Sequence, residues 1–337
     1  LTIDEQLFCS LILKPLEKKD PPKDAKAKKK VILLAGPTGS GKTQLSILLS
    51  QYIGNCEIIS ADSMQVYKGM DIGTAKITKE EQNNIPHHLI DIRNVDDPMN
   101  VVDYYYAARE AIKAIISRDK TPIIVGGSGF YFKTLLYGPP EGPPSVDSVR
   151  KKLEDEVELK GVDFLFDQLQ KIDPQYAQSI TRGDRHKIVR ALEIITLTKK
   201  SVSDLSWKYR APPDDFDYRS WFVYRSRENL YKRLDRRCER MTENGLLNEV
   251  ESLKDKLALN PSASQAIGYK QALDYLKSEK TSADFKLFVE KFKTASRHLA
   301  KKQFTWFRSQ PQFRWLDIEL HDFETAAEII AQDFKLF

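Results

Sequence analysis

Hydrophobic positions along this chain follow two rhythms. Short unbroken apolar runs at Val31-Ile32-Leu33-Leu34-Ala35, Glu57-Ile58-Ile59-Ser60 and Thr121-Pro122-Ile123-Ile124-Val125 predict strands covered on both faces. Between them the spacing turns helical at about 42–53 and 102–117, the second helix opened by Asn100 as its N-cap. Alternating strands and helices predict a parallel sheet with helices on both faces. Leu135-Leu136-Tyr137 then gives way to Gly138-Pro139-Pro140-Glu141-Gly142-Pro143-Pro144, a breaker that marks a junction. From Val146 to about Ser206 every stretch reads as helix, with runs at 149–160, 163–172 and 184–198. A strand at Trp221-Phe222-Val223-Tyr224 returns to the sheet, and the remainder is mainly helical up to a last strand at Phe313-Arg314-Trp315-Leu316. The expected organisation is a lysine-rich leader over 1–30, a core of 31–137 and 207–337, and an inserted all-helical lobe over 138–206. No internal repeat interrupts it.

Charge and cysteine content narrow the classes. The 337 residues carry a net charge of +5, unevenly spread. Arg225, Arg227, Lys232, Arg233, Arg236, Arg237 and Arg240 crowd one segment, and Lys291, Lys293, Arg297, Lys301, Lys302 and Arg308 another, with aromatic residues between them. Such stretches suit a polyanion, or a solvated helix face where Glu228, Asp235 and Glu239 intervene. Cys9, Cys56 and Cys238 are too few and too scattered for a disulfide framework or a zinc site, which points to a reducing compartment. Leu7–Leu13 is short for a secretory signal, with Asp4 and Glu5 where positive charge belongs. No apolar run approaches membrane-spanning length, so a soluble, cytoplasmic and monomeric protein is expected.

The chemistry begins directly after the first strand. Gly36-Pro37-Thr38-Gly39-Ser40-Gly41-Lys42-Thr43 has the spacing of a phosphate loop between a strand and a helix. Glycines let the backbone wrap an oxyanion, the following helix aims its positive end at it, and Lys42 supplies a point charge. The Thr43 hydroxyl is the expected ligand of Mg2+. Phosphate-loop ATPases and kinases usually carry a second strand ending in a carboxylate, but 121–125 runs into Gly126-Gly127-Ser128-Gly129. The 57–60 strand leads instead to Asp62, where a carboxylate faces the ligand crevice of a parallel sheet. Asp62 is therefore a candidate base, or a helix cap.

Taken together, these residues resemble a known family. The phosphate loop, Ile59-Ser60-Ala61-Asp62-Ser63-Met64-Gln65-Val66-Tyr67-Lys68-Gly69-Met70-Asp71-Ile72-Gly73-Thr74-Ala75-Lys76, the His-His-Leu-Ile-Asp-Ile run at 87–92 and Val-Gly-Gly-Ser-Gly-Phe-Tyr-Phe-Lys at 125–133 are similar to the bacterial-type tRNA dimethylallyltransferases. Arg190-Ala191-Leu192-Glu193, Gln265-Ala266-Ile267-Gly268-Tyr269-Lys270 and Lys301-Lys302-Gln303-Phe304-Thr305-Trp306-Phe307-Arg308 extend the resemblance over roughly 31–320. It implies an α/β fold, a P-loop NTPase-like parallel sheet flanked by helices with an inserted helical lobe. It also implies transfer of the dimethylallyl group from dimethylallyl diphosphate to N6 of the adenosine 3′ of the tRNA anticodon, position 37, with release of diphosphate. The alternatives are an adenylate isopentenyltransferase acting on free AMP, ADP or ATP, and a phosphate-loop kinase or ATPase.

The family's functional residues carry over one by one. Residues 36–43 would hold the diphosphate, Arg237 would reach it with Arg227 and Arg233 in support, and Asp62 would take the amine proton. The resemblance implies tRNA contacts at Asp62, Ser63, Met64 and Gln65, at Ser128 where the family has Thr, and at Arg150 after the proline-rich junction. In the lobe it implies contacts at His186, Lys187, Ile188, Val189 and Arg190. A further segment covers Gln265, Ala266, Ile267, Gly268, Tyr269 and Lys270, where Gln265 and Lys270 replace the family's usual arginines and lose its planar fork. The partner is the tRNA anticodon stem-loop. His87 and His88 are expected to pack or hydrogen-bond rather than catalyse.

Overall fold

Burial of both faces explains why the central strands read as unbroken apolar runs: Val31 through Ala35 are all 0% exposed. The computed structural model describes residues 28–140, 142–205 and 215–336. Six strands, β1 (Lys29–Ala35), β2 (Cys56–Ala61), β3 (His87–His88), β4 (Thr121–Gly126), β5 (Phe216–Tyr224) and β6 (Arg314–Asp317), form one sheet in the order β3-β2-β4-β1-β5-β6. Every pairing is parallel. The register sets Gly126 beside both Ala35 and Ala61, and Ala35 beside Phe222, so the carboxyl ends of four strands open on one edge. Most of the expected leader lies outside the described residues. Its last two lysines are not leader: Lys29 and Lys30 open β1, and the Lys30 ammonium donates to the Phe334 carbonyl at 2.7 Å.

The amino ends of the strands carry a separate polar cluster. Glu57, 2% exposed on β2, accepts from His88 at 2.6 Å and Arg118 at 2.7 Å and pairs with Lys120 at 2.8 Å. Burial works to raise its pKa, but the hydrogen bonds from Lys120, Arg118 and His88 prevail and hold it at about 2. His88 thereby ties β3 to β2, and the neighbouring His87 Nδ1 meets the Ile85 carbonyl at 2.8 Å. Both histidines are structural, as expected.

Helices close the sheet. α1 (Lys42–Ile53) follows the phosphate loop and buries Leu45 and Leu49. α2 (Val101–Ile116) starts from a capping box: the Asn100 side chain accepts from the Val102 and Asp103 amides, and Asp103 answers the Asn100 amide. α3 (Gly129–Tyr137) ends the first part of the chain. Packing divides the described residues into two compact units, one of residues 28–135 and 215–336 and the other of residues 136–205, with the breaks between them.

The unit between these breaks holds α4 (Asp147–Lys160), α5 (Val162–Ile172), α6 (Pro174–Gln178) and α7 (Arg185–Thr198). Its own core joins Val157, Leu165, Phe166, Leu169, Ile188, Val189 and Leu192. Each such aliphatic side chain contributes about 1.5–3 kcal/mol relative to exposure. Glu193 is wholly buried there and accepts from Ser145 at 2.6 Å, the Val146 amide at 2.8 Å and Arg190 at 2.7 Å. That carboxylate fixes the start of α4.

The remaining helices rejoin the sheet-bearing unit. α8 (Arg227–Glu243), α9 (Leu246–Ala258), α10 (Pro261–Ser264), α11 (Tyr269–Leu276) and α12 (Ser282–Arg308) follow β5. Met241, Leu246, Val250, Tyr269, Phe288 and Phe292 bury Val66, Tyr67 and Met70 of the long connection after β2. The last helix, α13 (Phe323–Leu336), brings Ile329 and Ile330 into one core with Leu45, Leu49 and Trp221.

Candidate active site at the carboxyl ends of the strands

The phosphate loop leaves β1 through two left-handed glycines, Gly39 at φ +80° and Gly41 at φ +104°, a conformation side chains disfavour. Ser40 is buried with its hydroxyl unpartnered among the described residues. The Lys42 ammonium turns back on the loop and donates to the Pro37 carbonyl at 2.7 Å. Burial, then the charge of Arg237, lowers its pKa to about 7, while Asp62 acts in the opposite direction.

Arginines from the segment after β5 surround this loop. Arg237 donates to the Thr38 hydroxyl and, at 3.4 Å, to the Thr74 carbonyl. Burial lowers its pKa and Asp62 raises it, yet a guanidinium remains charged throughout the working range. Arg225 donates to the Ser40 carbonyl at 3.0 Å and Arg233 to the Gly39 carbonyl at 3.1 Å. Arg227 instead lies over the Tyr231 ring at 5.2 Å. Arg233, expected beside the diphosphate, thus contacts the loop together with Arg225, while Arg227 packs on an aromatic ring.

Asp62 follows β2 directly. Its Oδ1 accepts from the Met64 amide at 2.8 Å, which fixes the carboxylate by a local turn. The cap and base readings are compatible, since one oxygen is held and the other carries no such bond among the described residues. Ser128, after β4, accepts from the Ser63 amide at 3.3 Å. Gln303 on α12 bridges two loops: its Oε1 accepts from the Thr38 amide at 2.9 Å and its Nε2 donates to the Gly127 carbonyl at 3.1 Å. The Gln65 side chain accepts from Ser60 at 3.1 Å and donates to the Thr74 carbonyl at 3.4 Å, while Met64 packs into the helical core.

Several residues expected to touch tRNA face inward. The side chains of Ile188, Val189, Ala266 and Tyr269 are 0–8% exposed and shape their segments from within, and Gly268 is buried as well. Arg190 donates to Glu193 and, at 2.6 Å, to the Pro143 carbonyl. Arg150 pairs with Glu154 at 3.1 Å. His186, Lys187, Gln265 and Lys270 are exposed and Ile267 half-buried. Part of the basic run is neutralised: Lys232 pairs with Glu228, Lys293 with Glu239 and Arg297 with Asp235.

Among the described residues no three His, Cys, Asp or Glu side chains gather to hold a metal. The exposed Thr43 at the start of α1 is a hard oxygen donor beside a phosphate cradle. That donor set fits Mg2+, which keeps waters and substrate phosphates around one or two protein ligands. No helix among the described residues is long and apolar enough to cross a membrane.

Known proteins are similar to this chain in sequence and in fold. The IPP transferase family profile matches residues 65–310, and a zeta toxin profile matches 15–70, around the phosphate loop. A tRNA dimethylallyltransferase of Protochlamydia amoebophila is 54% identical over 323 residues, covering 95% of this chain and 93% of that one. The chain belongs to the IPP transferase family. Another family member, the tRNA dimethylallyltransferase of Chlamydia felis, is 47% identical over 92% of this chain and 91% of its own. The crystal structure of a tRNA delta(2)-isopentenylpyrophosphate transferase from Staphylococcus epidermidis aligns with a TM-score of 0.65 at 36% identity, covering 91% of this chain and 99% of that one. A eukaryotic dimethylallyltransferase acting on tRNA aligns at 0.75 and 32% identity, over 91% of this chain and 79% of that one. These IPP transferases share the parallel sheet and its flanking helices.

Three contributors to the site were named only within longer segments of the sequence, with no role at the phosphate loop. Arg225 had a readable signal, since it is the first residue beyond a strand whose carboxyl end joins the others. Gln303 and the Thr74 carbonyl had none, because a neutral amide and a main-chain oxygen look ordinary within their segments.

Proposed function

We propose that this chain transfers the dimethylallyl group of dimethylallyl diphosphate to N6 of adenosine 37 in tRNA and releases diphosphate. The observation that carries the reading is the pairing of a fixed Asp62 carboxylate with a phosphate loop whose Lys42 and Arg237 both feel its charge. One edge of the sheet thus offers a proton acceptor and a cradle for a leaving anion. Relatives named for this reaction support the choice.

In the proposed step N6 attacks the allylic carbon, the carbon–oxygen bond breaks, and its electron pair leaves on the diphosphate. Lys42, Arg237 and the loop amides stabilise that growing charge. Asp62 accepts the proton shed by N6. The adenine amine is a weak nucleophile with its lone pair spread into the ring, so holding it against the allylic carbon matters as much as basicity. Thr43 would hold Mg2+, which would supply positive charge to the diphosphate. Against a kinase or ATPase, β4 ends in Gly126 and runs on into Gly127 with no carboxylate.

The four-helix unit and the 265–270 segment are proposed as the tRNA grip, through His186, Lys187, Gln265, Ile267 and Lys270, with Arg150 once released from Glu154. Ser63 and Ser128 are proposed to meet the target nucleotide. The proposed setting is the cytoplasm, with the protein acting as a monomer. Incubation with labelled dimethylallyl diphosphate and Mg2+, offering unmodified tRNA, AMP or ATP separately, tests the reading. Label should enter tRNA alone; label in AMP with tRNA blank overturns it.

A further inference from the structure

Three successive backbone amides, those of Asp71, Ile72 and Gly73, converge on the Glu249 carboxylate at 3.0, 2.7 and 3.1 Å. Consecutive inward-pointing amides of this kind form an anion receptor. Here the anion is the chain's own, delivered by the first turn of α9. The Tyr269 hydroxyl donates to the same carboxylate, so its roughly four acceptor sites are all engaged. Burial, then the Glu249 carboxylate, raises the Tyr269 pKa, which keeps that hydroxyl a donor. The turn also has no slack: a Cβ at Gly73 would lie 2.4 Å from the Tyr269 ring.

The residue after this turn is Thr74, whose carbonyl accepts from Arg237. The guanidinium therefore has two supports, the Thr38 hydroxyl on the phosphate loop and the turn that Glu249 grips. We infer that Glu249 is a positioning residue: it holds the 71–74 turn so that Thr74 aims Arg237 at the diphosphate. This inference rests on the diphosphate role proposed for Arg237. Glu249 itself makes its contacts to the protein. Charged acceptors bind amides about twice as strongly as neutral ones, so removing the charge loosens the turn without emptying the space.

A double-mutant cycle with inorganic pyrophosphate, read by calorimetry, tests this. Glu249→Gln should weaken pyrophosphate binding about tenfold, within the range for coupled neighbours, and should have no further effect once Arg237→Ala is present. The turnover number for tRNA should follow the same non-additive pattern. Equal losses in both backgrounds would mark Glu249 as a general structural residue and overturn the proposal, as would native affinity in Glu249→Gln. Native pyrophosphate affinity in Arg237→Ala alone would instead refute the role of Arg237, and the relay with it. Should Glu249→Gln fail to fold, Glu249→Asp, which keeps the charge on a shorter arm, enters the same cycle with the same criteria.

Discussion

Lys42 donates to the carbonyl of Pro37, 2.7 Å away within its own loop, so the lysine expected to meet a phosphate is held by the peptide backbone. Its pKa of about 7 gives this a measurable sign. Below pH 7 the ammonium is already charged and binding an anion there draws no proton. Above pH 7 the lysine of the free protein is neutral, while a bound diphosphate favours the charged form, so binding must take up a proton. Pyrophosphate affinity should therefore fall as pH rises through the region above 7, by up to about tenfold per unit. Calorimetry in two buffers of different ionisation enthalpy reads the uptake directly, with Lys42→Met correcting for the ligand's own titration. Equal uptake in native protein and Lys42→Met would contradict the assignment.

Asp62→Asn preserves an oxygen for the Met64 amide, so the local turn should survive. Only the proton acceptor is lost. Turnover should drop by roughly two to four orders of magnitude, the span of general base catalysis, with pyrophosphate affinity nearly unchanged. Near-native turnover under single-turnover conditions would reduce Asp62 to a cap.

Neighbouring positions on α7 should behave as opposites. Ile188→Ala empties a fully buried site and should destabilise its unit by about 2–5 kcal/mol in thermal or urea unfolding. Lys187→Ala removes an exposed charge, paired with Asp184 at 3.0 Å, and should leave unfolding alone. It should instead raise the Michaelis constant for tRNA and reduce the slope of log affinity against log salt by about one. An unchanged slope would place Lys187 away from the RNA backbone.

At the other edge of the sheet, Glu57 should govern acid stability. Its folded pKa of about 2 lies below the ordinary 4.5, so the unfolded chain takes up the proton first as pH falls. The stability it contributes is whole above about pH 4.5 and is lost as pH falls through about 2. Glu57→Gln should destabilise the protein near neutrality by about 3 kcal/mol, since Arg118 and Lys120 lose a buried charged partner, and should flatten the acid limb of urea unfolding. An acid limb as steep as the native one would show that other carboxylates control it.

Legibility in the sequence follows physical locality. β1 and β4 were readable because burial on both faces leaves only apolar residues, and the phosphate loop because its glycines are a backbone requirement written in order. β5 runs from Phe216, five residues before the apolar stretch that marks it, since Asp217 and Arg219 break the pattern while pairing with each other. The two-residue β3 is too short for any periodicity; it pairs in parallel with β2 at Ile58 and Ile59, and His88 adds its contact with Glu57. Family likeness picks out segments but does not separate outward from inward side chains, as exposed Lys187 beside buried Ile188 shows. Gln303, Thr74 and Glu249 act through partners remote in sequence, which no local window contains.

The bridge between Thr38 and Gln303 spans 265 positions of sequence. A ribosome releases the phosphate-loop strand early, yet that strand is an inner one whose neighbour β5 follows the entire four-helix unit, and whose loop is tied down by α12 later still. During synthesis the glycine-rich loop must therefore wait, without the brace of Gln303, until that residue has emerged. Nascent chains stalled before residue 303 should be unable to grip pyrophosphate tightly, which makes anion affinity a late milestone of biosynthesis rather than a property of the amino-terminal segment that carries the motif.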